Sequence, residues 1–189
     1  MSTTILHMSV SLDGLATGPD DDLELLHQWS YPRSGTVSDA SMTVIQELFS
    51  ASAVVMGWRT FDLGQQANGW YDRPPFKVPM FVPAHEVPER AATAAGNLRF
   101  VTDGIVGTVK QAQVEAGDGM VAIVGGATTF QEAFNAGLVD ELHLTLVPVV
   151  LGEGIPLLAR ISALPLELEV KRVIQAPEVI HTIYGVRNT

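Results

Sequence analysis

The chain contains no cysteine, and this absence removes several kinds of chemistry. Disulfide bonds, a thiolate nucleophile and zinc or iron–sulfur sites with cysteine ligands all require that residue. The five histidines, the other common metal ligands, have no pairwise spacing typical of a metal site. We therefore expect no metal centre.

Positive charge is also scarce, because 11 basic residues stand against 21 acidic ones and the formal net charge is −10. A nucleic-acid surface needs clustered lysine and arginine to neutralise phosphates, so this composition argues against nucleic acid as a partner. An acidic protein can still bind a small phosphorylated ligand at one local site.

Long apolar runs are missing as well. The amino-terminal segment lacks the basic start, apolar run and cleavage site of a secretory signal, and no later segment has the ~18 consecutive apolar residues that indicate a membrane span. We expect a soluble cytoplasmic protein without a membrane partner. With 189 residues, 47% of them hydrophobic, the chain is expected to form one domain, residues 1–189, with its own core.

Strand and helix patterns alternate along most of the chain. Short apolar runs such as "SAVVMG" and "GMVAIV" predict buried strands, and apolar residues at helical spacing predict a helix over 39–51. The tail segments "LELEVKRVI" and "VIHTIYGV" predict an antiparallel hairpin. The pattern indicates an α/β fold with a mixed sheet, and residues 63–79, which have no period, are predicted to form a loop.

The stretch "VVMGWRTF", residues 54–61, is the first candidate ligand site. A strand that ends in Gly57 and continues into Arg59 and Thr60 presents an open backbone, a fixed positive charge and a hydroxyl, which together suit a phosphate. The alternative is an ordinary strand exit with a solvated arginine.

The stretch "VGGATTF", residues 124–130, is the second. A strand, the pair Gly125-Gly126 and a helix start bring free amides and the positive end of a helix dipole to one point. Thr129 and Glu132 have the spacing of a capping box, which predicts the helix start there. The G-x-G-x-x-G spacing of the ordinary dinucleotide fold is absent, and a plain tight turn is the alternative.

These stretches occur together with others in an order that resembles a known superfamily. "SLDGLATG", "VVMGWRTF", "VGGATTFQEAFNAGLVDELHLTLVPVVLGEGIPLL" and "VIHTIYGV" follow the order of the dihydrofolate reductase-like superfamily, over roughly residues 4–186. The branch that the chain is most similar to is related to the reductase domain of bifunctional riboflavin biosynthesis proteins. The resemblance implies a three-layer α/β fold with a mostly parallel central sheet, a carboxy-terminal antiparallel hairpin, and an NADPH-dependent reductase activity.

The resemblance also implies positions for the cofactor and the substrate. Gly57, Arg59 and Thr60 would lie along the cofactor's phosphates, and His85 would be near its adenosine. The pyrophosphate would be held by Gly125, Gly126, Ala127, Thr128 and Thr129. Ser11, Asp13 and Gly14 would border the nicotinamide and its covering loop.

The chain departs from the family pattern at several positions. Trp58 and Ala84 stand where relatives commonly have a second basic residue and a hydroxyl, so NADPH is expected but NADH is not excluded. The carboxylate of classical dihydrofolate reductases is not matched, because the nearest acid is Asp39 and the expected place falls nearer Ser41. Asp13 and Asp39 are therefore weak catalytic candidates, and the catalytic group is unknown.

Aromatic residues and histidines complete the set of candidates. Trp29, Tyr31 and Trp70 lie in irregular segments and would either form an aromatic wall for a flat substrate or close the edge of the core. His181 is expected at a subunit contact, whereas His7 and His143 are expected to be strand histidines with satisfied hydrogen bonds.

The sequence thus suggests a reductase that passes hydride to a small planar heterocycle or conjugated carbonyl, such as a pterin-like or aminopyrimidine-like substrate. A non-catalytic dimeric nucleotide-binding module that keeps this fold is the alternative. A homodimer is expected because relatives commonly pair through the sheet and "LHLTLVPVVLG" offers an apolar surface.

Overall fold

The apolar runs of the sequence assemble into a central sheet. A computed structural model describes residues 2–33, 35–162 and 164–187. Its strands are β1 (Thr4–Ser11), β2 (Leu15–Thr17), β3 (Ala53–Met56), β4 (Met80–Pro83), β5 (Leu98–Val101), β6 (Val121–Val124), β7 (Glu141–Val147), β8 (Ile155–Pro156), β9 (Leu168–Gln175) and β10 (Ile180–Val186). Its helices are α1 (Glu24–His27), α2 (Asp39–Phe49), α3 (Trp58–Asn68), α4 (Gly104–Ala116) and α5 (Ala127–Asn135), with short 3₁₀ turns at Pro19–Asp21 and Glu89–Thr93.

Eight of these strands form one sheet in the order β5-β4-β3-β6-β1-β7-β10-β9, and β2 pairs with β8 in a small antiparallel sheet. The strands from β5 to β7 in that order are parallel, whereas β10 runs antiparallel to both of its neighbours. The predicted mixed, mostly parallel sheet and the carboxy-terminal hairpin are therefore confirmed.

Helices cover both faces of the sheet because successive strand residues point to opposite sides. Leu6 and Ile123 pack on one face with Val109 of α4 and Phe130 of α5. Ile5, Val54 and Ala122 pack on the other face with Phe61 of α3 and, at its margin, Leu48 of α2. Strands β3 and β6 are buried on both faces, which explains their continuous apolar sequences.

Polar residues form a row across one face of three neighbouring strands. The register pairs Ser9 of β1 with Thr145 of β7, and Thr145 in turn with His181 of β10. His7 is paired with His143 one step earlier along the same face. The alternation in "LHLTLV" thus places its polar positions beside those of two distant segments.

Two local predictions are corrected by the structure. Residues 63–79 were expected to form a loop, but α3 continues through Asn68. The helix buries only Phe61 and Gly64, so its sequence carries little helical periodicity. Gly64 is needed there because the ring of Trp70 lies against it, and a Cβ at this position would come within 2.2 Å of that ring.

The predicted capping box at Thr129 and Glu132 is also wrong. Helix α5 begins at Ala127 with Gly126 as its N-cap and without a side-chain cap. Because Gly126 has φ +82°, the chain turns directly from β6 into the helix, and Thr129 becomes a buried residue of the first turn.

Strand β7 lies inside the sheet, between β1 and β10. Leu142 and Val147 are buried, whereas Leu144 and Leu146 are half-buried. The segment "LHLTLVPVVLG" by itself therefore does not form the exposed apolar surface that its sequence indicates. Among the described residues, no helix combines the length and the apolar character needed to cross a membrane.

Candidate functional site

The predicted ligand-binding stretches meet at one edge of the sheet. Strands β3, β6, β1 and β7 are parallel neighbours, so the chain leaves all of them at the same edge. In open α/β sheets ligands bind beyond these carboxyl ends.

Gly57, Gly125 and Gly126 bring the exits of β3 and β6 into direct contact. A Cβ on Gly57 would lie 2.6 Å from Oγ1 of Thr129 and 3.2 Å from Cα of Gly126. A Cβ on Gly125 would lie 2.5 Å from Cγ2 of Thr60, and Gly125 has φ +68°. Side chains at these three positions would separate the two strand exits.

Two helix N-termini lie side by side as a result. Helix α3 begins after Gly57 and α5 after Gly126, and neither N-cap is satisfied by a side chain. The first four amides of an α-helix have no acceptor within the helix, and its N-terminus carries a partial positive charge. We refer to Gly57, Thr60 and residues 125–129 as the glycine cradle; it can bind an anion through backbone amides.

Arg59 projects from the first turn of α3 and is already paired. Its Nε donates to Oδ2 of Asp21 at 2.5 Å. Asp20 and Asp21 both have left-handed backbone conformations, with φ 53° and 61°, in the loop that follows β2. The side chain of Asp21 is largely shielded, whereas that of Arg59 is mostly exposed. Arg59 is the only positively charged residue of the "WRTF" segment, and this loop therefore holds a carboxylate against it.

The remaining predicted cofactor residues lie in the cradle or at the same edge of the sheet. Ala127 is buried, so only its backbone can face a ligand, whereas the side chain of Thr128 is exposed. His85 is exposed two residues beyond the end of β4. Because β4 adjoins β3, His85 lies at the same edge of the sheet as the cradle.

Ser11 and Asp13 hold the loop that follows β1. Oγ of Ser11 accepts from the amide of Leu15 at 2.9 Å. The carboxylate of Asp13 accepts from the amides of Leu151 at 3.2 Å and Gly152 at 2.7 Å. The side chain of Ser11 and the amide of Gly152 lower the pKa of Asp13 to about 2. Asp13 is therefore ionised at neutral pH and fixes the loop to the chain beyond β7.

A cavity of about 340 Å³ opens on the other side of β1, at the end of β7. Its lining residues are Leu25, Gln28, Trp29, Pro32, Arg33, Val147, Pro148, Val149, Glu178 and Val179. Strand β1 separates it from β6, so cavity and cradle are two strand spacings apart, about 10 Å.

The aromatic residues predicted around the substrate separate into three places. Trp29 is buried, lines the cavity, and donates from Nε1 to Oγ of Ser9 at 2.9 Å. Tyr31 is 77% exposed and does not line the cavity. Trp70 packs near Phe61 of α3, with ring centroids 6.4 Å apart. The structure therefore brings only Trp29 to the cavity.

Asp39 does not line the cavity either. It is the exposed first residue of α2, directly after the N-cap Ser38. Two residues further along α2, Ser41 is fully buried and points to the polar row of the sheet. The structure thus gives α2 a serine and no carboxylate at the position that faces the sheet.

A hydrogen-bonded chain runs from the polar row to the cavity. Nδ1 of His181 is 2.9 Å from Oγ1 of Thr145, and Nε2 is 3.1 Å from Oγ of Ser41. The hydroxyls of Ser41 and Ser38 donate to Oε1 of Glu178 at 2.9 and 2.8 Å. His181 is only 3% exposed, so its expected place at a subunit contact is wrong.

Sequence reasoning missed Glu178 altogether. It lies between Pro177 and Val179 in a turn, and nothing in that local pattern indicates a ligand site. The antiparallel pairing of "LELEVKRVI" with "VIHTIYGV" predicted the turn, but not that its tip would reach α2.

His7 is a buried histidine with an unused nitrogen. Its Nε2 has no hydrogen-bond partner among the described residues. Together with His143, Thr145 and His181, it lines a small cavity of about 10 Å³. This cavity has room for about one water. Burial, then the neighbouring His143 and His181, lower the pKa of His7 to about 3.

Comparison with known proteins identifies the family of the chain. The model of the RibD C-terminal domain family matches residues 2–182. The chain belongs to this family. Among curated proteins it is similar to the uncharacterized protein YyaP of Bacillus subtilis strain 168, with 27% identity over 81% of this chain and 78% of that protein.

Solved structures show the fold of the family. A Shewanella sp. PV-4 protein with a suggested place in riboflavin biosynthesis superposes with a TM-score of 0.75 and 23% identity, over 98% of this chain and 99% of its own. Enterococcus faecalis dihydrofolate reductase, solved with NADP(H), superposes with a TM-score of 0.63 and 14% identity, over 98% and 97%. The dihydrofolate reductase-like fold predicted from the sequence is thus confirmed.

The two departures from the family pattern lie on either side of β4. Trp58 is 40% exposed at the start of α3, with its ring near those of Phe61 and Phe100. Ala84 follows β4, and its amide donates to the carbonyl of Val101 at 2.9 Å. Neither Trp58 nor Ala84 can offer a cation or a side-chain hydroxyl to a ligand bound at the cradle.

The buried neutral state of His7 predicts a pH dependence of stability. Below about pH 6.5 the unfolded chain binds a proton at His7, whereas the folded chain does not until about pH 3. The free energy of unfolding should therefore fall by up to about 1 kcal/mol per pH unit between pH 6.5 and 5 on account of His7 alone. In His7→Gln, urea unfolding at several pH values should show a shallower decline.

Ser9→Ala is the matched control, because Ser9 lies on the same face of β1 and does not titrate. It should lower stability by a similar amount at every pH. An unchanged slope in His7→Gln would contradict the neutral assignment.

Proposed function

We propose that the protein is an NADPH-dependent reductase that transfers hydride to a small planar heterocycle or conjugated carbonyl. The observation that carries the proposal is the meeting of two helix N-termini at Gly57 and Gly125-Gly126, about 10 Å from a cavity at the end of β7. Membership of the RibD C-terminal domain family supports it.

The glycine cradle fits a dinucleotide pyrophosphate. The two strand exits approach so closely that a Cβ on Gly57 or Gly125 would meet the other exit, so the amino ends of α3 and α5 lie side by side and their backbone amides can bind a pyrophosphate. We propose that Thr60, Thr128 and Arg59 bind the phosphates and that His85, at the same edge of the sheet, contacts the adenosine. To bind a phosphate, Arg59 has to exchange its hydrogen bond with Asp21.

A bound nicotinamide cofactor would supply the hydride. The chain's own part is to hold the two rings in contact beyond the end of β1 and to exclude water. The loop fixed by Asp13 forms the boundary between cradle and cavity. Because Asp13 is ionised and held by two amides, a proton required by the reaction would come from water.

Calorimetric titration with NADPH and with NADH tests the cofactor directly. We expect measurable binding of both cofactors, with a lower dissociation constant for NADPH than for NADH. NADPH oxidation with pterins, aminopyrimidines, quinones and enones then separates a reductase from a non-catalytic binding module. Absence of binding at millimolar cofactor would overturn both functions.

Gly125→Ala should weaken NADPH binding by at least about tenfold, because the new methyl group meets Thr60 and disturbs the cradle. Gly117→Ala is the matched control, since Gly117 also has positive φ, +60°, but has open space around it and lies far from the cradle. Both variants should lose about 1–2 kcal/mol of stability from backbone strain. Equal NADPH affinity in the two variants would argue against the cradle as the cofactor site.

Asp21→Asn should strengthen NADPH binding, because it frees Arg59 from its carboxylate partner. An exposed ion pair is worth about 0–1 kcal/mol, so the gain should not exceed about fivefold. Asp20→Asn provides the control: it removes the same charge from the neighbouring residue, and Asp20 has the same backbone conformation. A gain of the same size in both variants would mean that net charge, and not Arg59, controls the affinity.

The surface that supports a homodimer lies on the carboxy-terminal hairpin. Residues paired directly across antiparallel strands share a face, so Val173 of β9, Thr182 of β10 and Leu144 of β7 lie side by side. Val173 is 57% exposed, and Val170 and Ile180 extend the same apolar surface. We propose that a second copy of the chain covers it.

Light scattering should therefore give a mass near twice 20.3 kDa for the native protein at micromolar concentration. Val173→Asp should give the mass of one chain, because a buried unpaired charge opposes association. Val114→Asp, on the exposed face of α4, should leave the dimer intact. A native protein that is monomeric would contradict the proposal.

A further inference from the structure

Two of the described residues that line the 340 Å³ cavity are charged, Arg33 and Glu178. Arg33 is exposed, and its guanidinium is bound by Glu24 at the outer edge. Glu178 is half-buried and receives its hydrogen bonds from neutral serine hydroxyls. The uncompensated charge at the cavity is therefore negative and belongs to Glu178.

The side chain of Glu178 is held in place by buried partners. Ser38 and Ser41 both donate to Oε1, so Oε2 is not used by either hydroxyl. Ser41 is itself fully buried and is positioned by His181. Partial burial opposes the charge on Glu178, but the two hydroxyls outweigh it and hold its pKa below the usual range.

The hydrogen bonds of this network all donate in one direction. The hydroxyl of Ser41 donates its hydrogen bond to Glu178, so the oxygen of Ser41 must accept from Nε2–H of His181. Nδ1 of His181 is then an acceptor, and the hydroxyl of Thr145 donates to it. A neutral imidazole satisfies this order, in agreement with the lowered pKa of His181 that burial causes.

The hairpin turn is what brings the carboxylate to the cavity. Ala176 and Val179 flank Pro177 and Glu178, and both are buried against Trp29 and Val147. The amide of Ala176 donates to the carbonyl of Val179 at 3.0 Å, which closes the turn. The turn is thus anchored on both sides, and it holds Glu178 in the lining of the cavity.

We infer that Glu178 selects the substrate: its carboxylate accepts hydrogen bonds from adjacent N–H donors of a flat, unphosphorylated nitrogen heterocycle in the cavity beside Trp29. The inference rests on the proposed function, because it takes this cavity as the substrate half of the site. Oε2 keeps acceptor positions of its own because both serine hydroxyls donate to Oε1, so it can accept from N–H donors at the edge of a flat ring. Apolar residues such as Val147 and Val149 suit the ring itself.

The same charge acts against phosphorylated substrates. A phosphate in this cavity would meet the carboxylate of Glu178, and to pair with Arg33 it would have to compete with Glu24. Like charges at short distance in a partly enclosed site repel strongly. This chain is therefore expected to prefer heterocycles without a ribose phosphate.

Binding of three probes tests the inference in the absence of cofactor. 2,4-Diaminopyrimidine protonated at ring N1 carries adjacent N–H donors on N1 and on its 2-amino group. 2,4-Dimethylpyrimidine has the same shape without the amino donors, and uridine monophosphate is a phosphorylated pyrimidine. Titration calorimetry of the native protein should show diaminopyrimidine binding at least about tenfold more tightly than either of the others.

Glu178→Gln should remove most of that preference, because the amide is uncharged and presents a donor of its own to the ligand. Glu178→Asp retains the charge on a shorter side chain and should keep part of the preference. Glu115→Gln, on the exposed side of α4, makes the same chemical change far from the cavity and should leave it intact. Circular dichroism melting shows whether each variant is folded.

An undiminished preference in folded Glu178→Gln would overturn the inference, as would tighter binding of uridine monophosphate or no binding of diaminopyrimidine to the native protein. The outcome is separable from the proposed function. If NADPH and NADH do not bind but the probe preference depends on Glu178, the reductase fails and the cavity assignment stands. If NADPH oxidation proceeds but Glu178→Gln leaves the preference unchanged, the reverse holds.

Discussion

The contact between the exits of β3 and β6 is the constraint on which the site depends. Gly57 and Gly126 approach so closely that a Cβ on Gly57 would lie 3.2 Å from Cα of Gly126. Because both strands are buried on both faces, neither can move aside to admit a side chain. The close contact places the amino ends of α3 and α5 next to each other, and their free amides then define where an anion can bind.

The polar row across β1, β7 and β10 has a comparable role on the other side of β1. Ser9, Thr145 and His181 are adjacent because of strand register alone. Their buried polar groups need partners, and Trp29, Ser41 and, through Ser41, Glu178 complete the network. The cavity thus has one wall whose hydrogen-bond directions are set from within the sheet, while apolar residues such as Val147, Val149 and Val179 line much of the remainder.

Much of the fold could be predicted because it depends on local patterns. The apolar runs of β3 and β6, the alternation in β7 and the two tail strands all carry a signal within a few residues. Helix α3 did not, since it buries little besides Phe61, and the start of α5 was misplaced because the positive φ of Gly126 makes a side-chain cap unnecessary. Only the second error lies at the cradle, because the missed part of α3 is its carboxyl-terminal half.

The sequence by itself determined the α/β class, the carboxy-terminal hairpin and the glycines of the cradle, because each is marked by residues close together in the chain. The tertiary structure alone decided that Asp21 forms an ion pair with Arg59, that Trp29 and not Tyr31 or Trp70 lines the cavity, and that Glu178 accepts a hydrogen bond from Ser41. The ion pair joins residues 38 positions apart, and the hydrogen bond joins residues 137 positions apart. Their partners are chosen by strand order and register, which no local pattern encodes.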